Sequence, residues 1–132
     1  ADADDDRNEG MLPTTSLPNE IQNFIDERYP NARIADFDKE RNYYEVDIIV
    51  NSQSKEIIFD SAYSWVLTST DLGRNLPAVV SDAINKNYPG KRIDDCDEVE
   101  TAQGEHYYLV DLDNYEMDIR VDENGQTSEV RD

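Results

Sequence analysis

The sequence predicts an α+β fold built from two tandem helix-plus-antiparallel-strand units, with the helices packed on one face of an antiparallel sheet. Three observations predict it. First, the chain repeats itself: Leu17-Pro18, Ile21, Ile25, Tyr29-Pro30 and Ile34 return at one constant offset as Leu76-Pro77, Val80, Ile84, Tyr88-Pro89 and Ile93. Second, within each copy the apolar period switches from the three-and-four spacing of a helix to the alternation of a strand. Third, 132 residues suffice for a modest core, since a monomer of this size buries roughly two-thirds of its unfolded surface.

Residues 1–15 hold Asp2, Asp4, Asp5 and Asp6 with almost no apolar periodicity. Like charges this close repel, so a flexible acidic tether is expected there. Unit 1 is expected over 16–70. Leu17, Ile21, Phe24, Ile25 and Tyr29 mark an amphipathic helix, with Pro18 in its first turn and Pro30 ending it. Tyr44, Val46, Ile48 and Val50 then alternate with charged or amide residues, and Ile57 and Phe59 continue the apolar face in a second strand. Flanking strands are expected near Arg33–Asp38 and Ser64–Thr68. Unit 2, over 75–132, follows the same plan. Leu76, Val80, Ala83, Ile84 and Tyr88 mark its helix, while Tyr108, Val110, Leu112 and then Met117, Ile119, Val121 mark strands, with a further strand near Arg92–Glu98. The copies change offset near Thr101–Glu105 and Asn51–Lys55, which places length changes in loops rather than in strands.

Charge excludes whole classes of partner. With 31 Asp+Glu against 12 Lys+Arg and a net charge of -19, the surface repels nucleic-acid phosphate and anionic headgroups. No apolar run approaches the roughly 20 residues that span a bilayer. Eight Tyr and 37% hydrophobic residues argue against disorder beyond the N-terminus. The single Cys96 cannot form an intrachain disulfide.

The inventory for catalysis is thin, and no catalytic residue and no enzymatic activity are expected. His106 is the one imidazole and opens a strand, where a surface histidine is the expectation. Cys96 matches Phe37 of the first copy and reads as a small buried hydrophobe. Two such residues cannot build a zinc or iron site, so no cofactor is expected beyond Ca²⁺. Calcium ligands are abundant, and Asp94, Asp95, Asp97, Asp111, Asp113 and Asp118 form the densest groups, without the spacing of a twelve-residue calcium loop. They read either as a solvated acidic face or as a calcium site. The residues expected to contact a protein or peptide partner are Tyr43, Asp47, Trp65, Tyr107 and Asp111. Aromatics among acids on an uncovered sheet face match a polar-rimmed binding surface.

The order Leu-Pro, Tyr-Pro, Tyr-x-Val and Phe-Asp before Trp resembles the PepSY-like, β-lactamase-inhibitor-like family of exported bacterial proteins. Unit 1 carries it as Leu17-Pro18, Tyr29-Pro30, Tyr44-Glu45-Val46 and Phe59-Asp60…Trp65. Unit 2 carries it as Leu76-Pro77, Tyr88-Pro89-Gly90, Tyr108-Leu109-Val110 and Val121-Asp122-Glu123-Asn124-Gly125. The resemblance implies a periplasmic, secreted or surface-lipoprotein location in a Gram-negative bacterium, a helix-plus-four-strand unit used twice, and a sheet that grips a partner. It also implies inhibition or regulation of a peptidase or other hydrolase. The alternative is a calcium-responsive structural or sensor protein. Two departures stand out. Tyr63 occupies the position of Gly125, so that turn is expected to be rebuilt with Tyr63 displayed. Thr127 replaces Trp65 in unit 2.

Overall fold

The structure, a computed structural model, describes residues 11–12 and 16–131. Most of the segment read as a tether lies outside the described residues. The exception is β1 (Met11–Leu12), which pairs antiparallel with Phe37 and Asp38, so the backbone is held there rather than loose. The chain divides into two compact units, Ala1–Thr68 and Ser69–Asp132, and the division falls inside β5 (Trp65–Asp71).

Unit 1 continues with α1 (Asn19–Arg28), β2 (Arg33–Lys39), β3 (Tyr43–Val50) and β4 (Gln53–Asp60). Unit 2 holds α2 (Ala78–Asn87), β6 (Ile93–Thr101), β7 (His106–Leu112), β8 (Asp118–Asp122) and β9 (Thr127–Val130). Neighbours in sequence pair antiparallel, β1–β2–β3–β4 in one unit and β6–β7–β8–β9 in the other. The α+β class and the helix-then-strands plan of each unit are as the periodicity predicts.

The prolines act one position earlier than expected. Pro18 and Pro77 sit extended before the first helical residue, and their carbonyls accept from Gln22 (3.0 Å) and Ser81 (3.2 Å). At the far ends the Tyr29 and Tyr88 amides close the last turns on Ile25 and Ile84. Pro30 and Pro89 then enter a turn whose next residue, Asn31 (φ 69) or Gly90 (φ 84), takes the left-handed conformation of a type II turn.

Each unit has its own core. Ile21, Ile25, Phe37, Val46, Ile48, Ile57 and Phe59 are at most 1% exposed in unit 1, and Val80, Ile84, Cys96, Val110, Leu112, Ile119 and Val121 match them in unit 2. Burial at this level contributes about 1.5–3 kcal/mol per large aliphatic side chain. A β-bulge sets the phase of the strand after each helix. Register shifts between Ile34 and Asp36 in β2 and between Ile93 and Asp95 in β6. One extra residue therefore lets both Ile34 and Phe37 face the core, and it turns Asp36 and Asp38 to the other side. Asp95 and Asp97 are turned the same way around the buried Cys96.

The turn at Tyr63 corrects the expectation. It is not rebuilt: Tyr63 adopts φ 69 and reproduces the hydrogen bonds of the Gly125 turn. Asp60 Oδ1 accepts from the Ala62 and Ser64 amides, as Asp122 Oδ1 accepts from Asn124 and Gln126, all at 2.9 Å. The Tyr63 ring is not displayed but packs on Tyr44, 5.3 Å between centroids. That contact offsets a left-handed strain of about 1 kcal/mol or more.

Candidate acidic sheet face

Alternation along β3 puts Tyr44, Val46, Ile48 and Val50 toward the helix and Tyr43, Glu45, Asp47 and Ile49 on the opposite face. Pairing then aligns acids across strands. Asp36 of β2, Asp47 of β3 and Glu56 of β4 stand directly opposite one another, and Asp38, Glu45 and Ile58 form the next row. Carboxylate oxygens of Glu45, Asp47 and Glu56 lie within 4.8 Å of one another. Like charges directly opposite in a sheet are destabilising. Asp47 Oδ1 is buried and has no hydrogen-bond partner among the described residues.

This crowding governs protonation. Burial, then the charges of Glu56 and Asp47, push the Glu45 carboxyl up to about 8. Burial also raises Asp47, against a hydrogen bond with Glu45 that acts the other way. Asp38 is raised by burial and by Asp36. The cluster therefore favours holding a proton between its oxygens.

Unit 2 carries the same row with different neighbours. Asp95, Asp111 and Asp118 stand opposite one another, and the next row reads Asp97, Leu109, Arg120. Asp95, Asp97, Leu109, Val110, Asp111 and Asp118 line a hollow of about 200 Å³. Asp71, Asp95 and Asp97 form a second group of oxygens within 4.8 Å. Arg120 lies over the Tyr107 ring, 4.2 Å from its centroid, and 3.6 Å from Glu105.

Of the six calcium candidates, Asp95, Asp97, Asp111 and Asp118 thus come together. Asp94 and Asp113 do not: Asp94 falls at the bulge and both turn to Arg92, at 3.0 Å and 3.6 Å. Glu45, Glu56 and Asp71 were not among the candidates, because only strand register brings them to their groups. Of the five partner residues, Tyr43, Asp47, Tyr107 and Asp111 lie on the faces opposite the helices. Trp65 does not, and this corrects its assignment. Its ring stacks on Phe24 of α1 at 5.3 Å, Arg28 stands 4.5 Å above it, and its Nε1–H donates to Thr68 Oγ1 at 3.0 Å. Helix packing and a buried acceptor hold the indole on the covered side.

The two classical reactive side chains sit in structural settings. His106 bridges Glu98 (2.6 Å) and Glu123 (3.0 Å), and the Glu98 hydrogen bond leads in raising its pKa. Cys96 is 0% exposed, and burial pushes its thiol up to about 12, far from a reactive thiolate.

A family model described as "Putative beta-lactamase-inhibitor-like, PepSY-like" matches residues 5–62 and, overlapping, 42–128. No curated protein matches the chain in sequence. Among solved structures, a BLIP-like protein from Bacteroides fragilis is 26% identical with a TM-score of 0.76, over 96% of this chain and 93% of that one. A DUF2874 family protein from Bacteroides uniformis is 21% identical with a TM-score of 0.70, covering 86% and 89%. A structure described as putative periplasmic proteins, from Bacteroides eggerthii, is 20% identical with a TM-score of 0.69, covering 86% and 88%. The last two likenesses concern the fold.

Proposed function

The chain belongs to the PepSY-like, β-lactamase-inhibitor-like family, and from that premise we propose that it is an exported, non-enzymatic binding module acting in the periplasm. In this reading the acidic face of unit 1 engages a protein or peptide through basic groups, and inhibition or regulation of a hydrolase is the activity that the family resemblance suggests. One observation carries the choice of face. The row Asp36–Asp47–Glu56, with Glu45 and Asp38 beside it, gathers carboxylates at a cost in stability, and Tyr43, Ile49 and Ile58 flank them with apolar surface. A cationic partner would relieve the repulsion, and the tyrosine supplies the rigid contact area typical of binding hot spots.

The test separates binding from stability. Asp36→Asn with Asp47→Asn and Glu56→Gln removes the repulsion, so thermal stability is expected to rise while periplasmic photo-crosslinking from position 49 to a partner is lost. Crosslinks of equal yield in the triple variant would sink the assignment of the face. Crosslinks obtained equally from exposed Asp26 on α1 would do so too.

A second reading is favoured by the oxygen cage of Glu45, Asp47 and Glu56 and the buried, unpartnered Asp47 Oδ1. Calcium takes six to eight oxygens from such donors, and a calcium-responsive protein would use them. Thermal unfolding at matched ionic strength discriminates: a shift of several degrees with Ca²⁺ and not with Mg²⁺, abolished by Asp47→Asn, supports the cage. Equal shifts with both ions mean diffuse counterions and remove this reading.

A further inference from the structure

A separate part of unit 2 gathers two arginines around a hollow. After β5 the chain turns through Leu72 to Asn75, with the Asn75 amide donating to the Leu72 carbonyl (3.0 Å) and the Gly73 amide donating to Asp71 Oδ1 (2.9 Å). Gly73, at φ 59, permits that turn. The loop and the start of β6 enclose a hollow of about 460 Å³ lined by Gly73, Arg74, Leu76, Arg92, Ile93 and Asp94. Its size lies within the range of roughly 300–1,000 Å³ found for small-molecule sites.

The lining is unusual for this chain. Two of its 12 Lys+Arg line the hollow together with two aliphatic side chains. Arg92 is braced: its Nε and Nη2 both reach Asp94 Oδ1, at 3.1 Å and 3.0 Å, and Nη2 stands 3.6 Å from Asp113. Arg74 is exposed and makes no hydrogen bond or ion pair among the described residues. A guanidinium left with its planar fork open is suited to taking a carboxylate through two parallel hydrogen bonds.

We propose that this hollow binds a small monocarboxylate with an apolar body. Arg74 grips the carboxylate, Arg92, its charge compensated by Asp94 and Asp113, offers its remaining N–H groups, and Leu76 and Ile93 cover the apolar portion. A dianion fits less well, because Asp94, Asp113 and the net charge of -19 penalise each added negative charge. This site shares no residue with the acidic rows, so its fate is independent of theirs.

The experiment is an amide chemical-shift titration of the full chain with N-acetyl-leucine, its neutral amide and inorganic phosphate at matched ionic strength. Saturable shifts at Gly73 and Ile93 are expected with the carboxylate, with affinity at least roughly tenfold weaker for the amide and for Arg74→Gln. Arg74 is exposed, and unchanged resonances elsewhere verify that the variant is folded. Shifts that fail to saturate, or that persist equally with the neutral amide or in Arg74→Gln, overturn the site. Tighter binding of phosphate than of N-acetyl-leucine overturns the ligand class.

Discussion

Unit 1 and unit 2 lay the same three-carboxylate row across equivalent strands, yet they treat it differently. In unit 2 the neighbouring row contains Leu109 and Arg120, so a cation and an apolar side chain interrupt the acids. In unit 1 the same positions hold Glu45 and Ile58, which adds a carboxylate and removes the cation. Their helix-terminal tyrosines differ as well. Tyr29 is buried and donates to Thr68, whose hydroxyl also accepts from Trp65, whereas Tyr88 and Tyr115 donate to the exposed Glu129. Burial, then the hydrogen bond to Glu129 and its charge, push the Tyr88 hydroxyl up to about 12. The two units thus share a scaffold, while unit 1 carries both the more crowded acidic face and the buried tyrosine anchor.

The strongest way to break the comparison is Thr68→Val. It deprives the Tyr29 hydroxyl and the Trp65 indole of a shared buried acceptor, and unfolding free energy is expected to fall by about 2–3 kcal/mol. Denaturant unfolding measures it, and a loss under about 0.5 kcal/mol would mean the anchor is not special. Next comes the turn pair. Gly125→Ala, at φ 85 with Val79 Cγ2 3.5 Å from the added Cβ, is expected to cost about 1 kcal/mol. Tyr63→Gly should cost no more than that, because relief of the left-handed strain offsets the lost Tyr44 contact.

Smaller effects sharpen the electrostatic contrast. Glu45 has a folded pKa above its unfolded value, so the folded state binds the extra proton. Its contribution is fully present below the ordinary 4.5 and is lost as pH rises through about 8. Stability of unit 1 is therefore expected to decline across that window, and Glu45→Gln should flatten the decline and add about 0.5 kcal/mol at its alkaline end. Hydrogen exchange of β3 amides against pH reads it directly. The least effect is expected from His106→Gln in unit 2. The raised His106 pKa gives a brace that is present below 6.5 and lost as pH rises through the higher folded value. Being partly exposed, it should be worth no more than about 0.5 kcal/mol.

How much of this was legible follows from what each signal encodes. Prolines and three-and-four spacing reveal α1 and α2 because they act within a few residues. Alternation in β3 and β7 reveals which side chains share a face, and it correctly separates Tyr43, Asp47, Tyr107 and Asp111 from the core. Trp65 escapes, because Val66 is exposed while Thr68 and Thr70 are buried, so apolar pattern does not report the phase of β5. The carboxylate rows depend on register between strands, which a bulge at Ala35 or Asp94 shifts by one residue. Tyr63 escapes because a cross-strand ring contact overrides its local preference.

The placement of Trp65 has a practical consequence. It is the one tryptophan in the chain, and it is clasped by Phe24, Arg28 and Thr68 inside unit 1, so intrinsic indole fluorescence is a private signal of that unit. Far-ultraviolet ellipticity, by contrast, sums over both helices. Melting curves recorded by the two methods would superimpose if the halves come apart as a single cooperative system, and would separate if one half loosens first. The native chain thus carries its own domain-resolved probe, without a label.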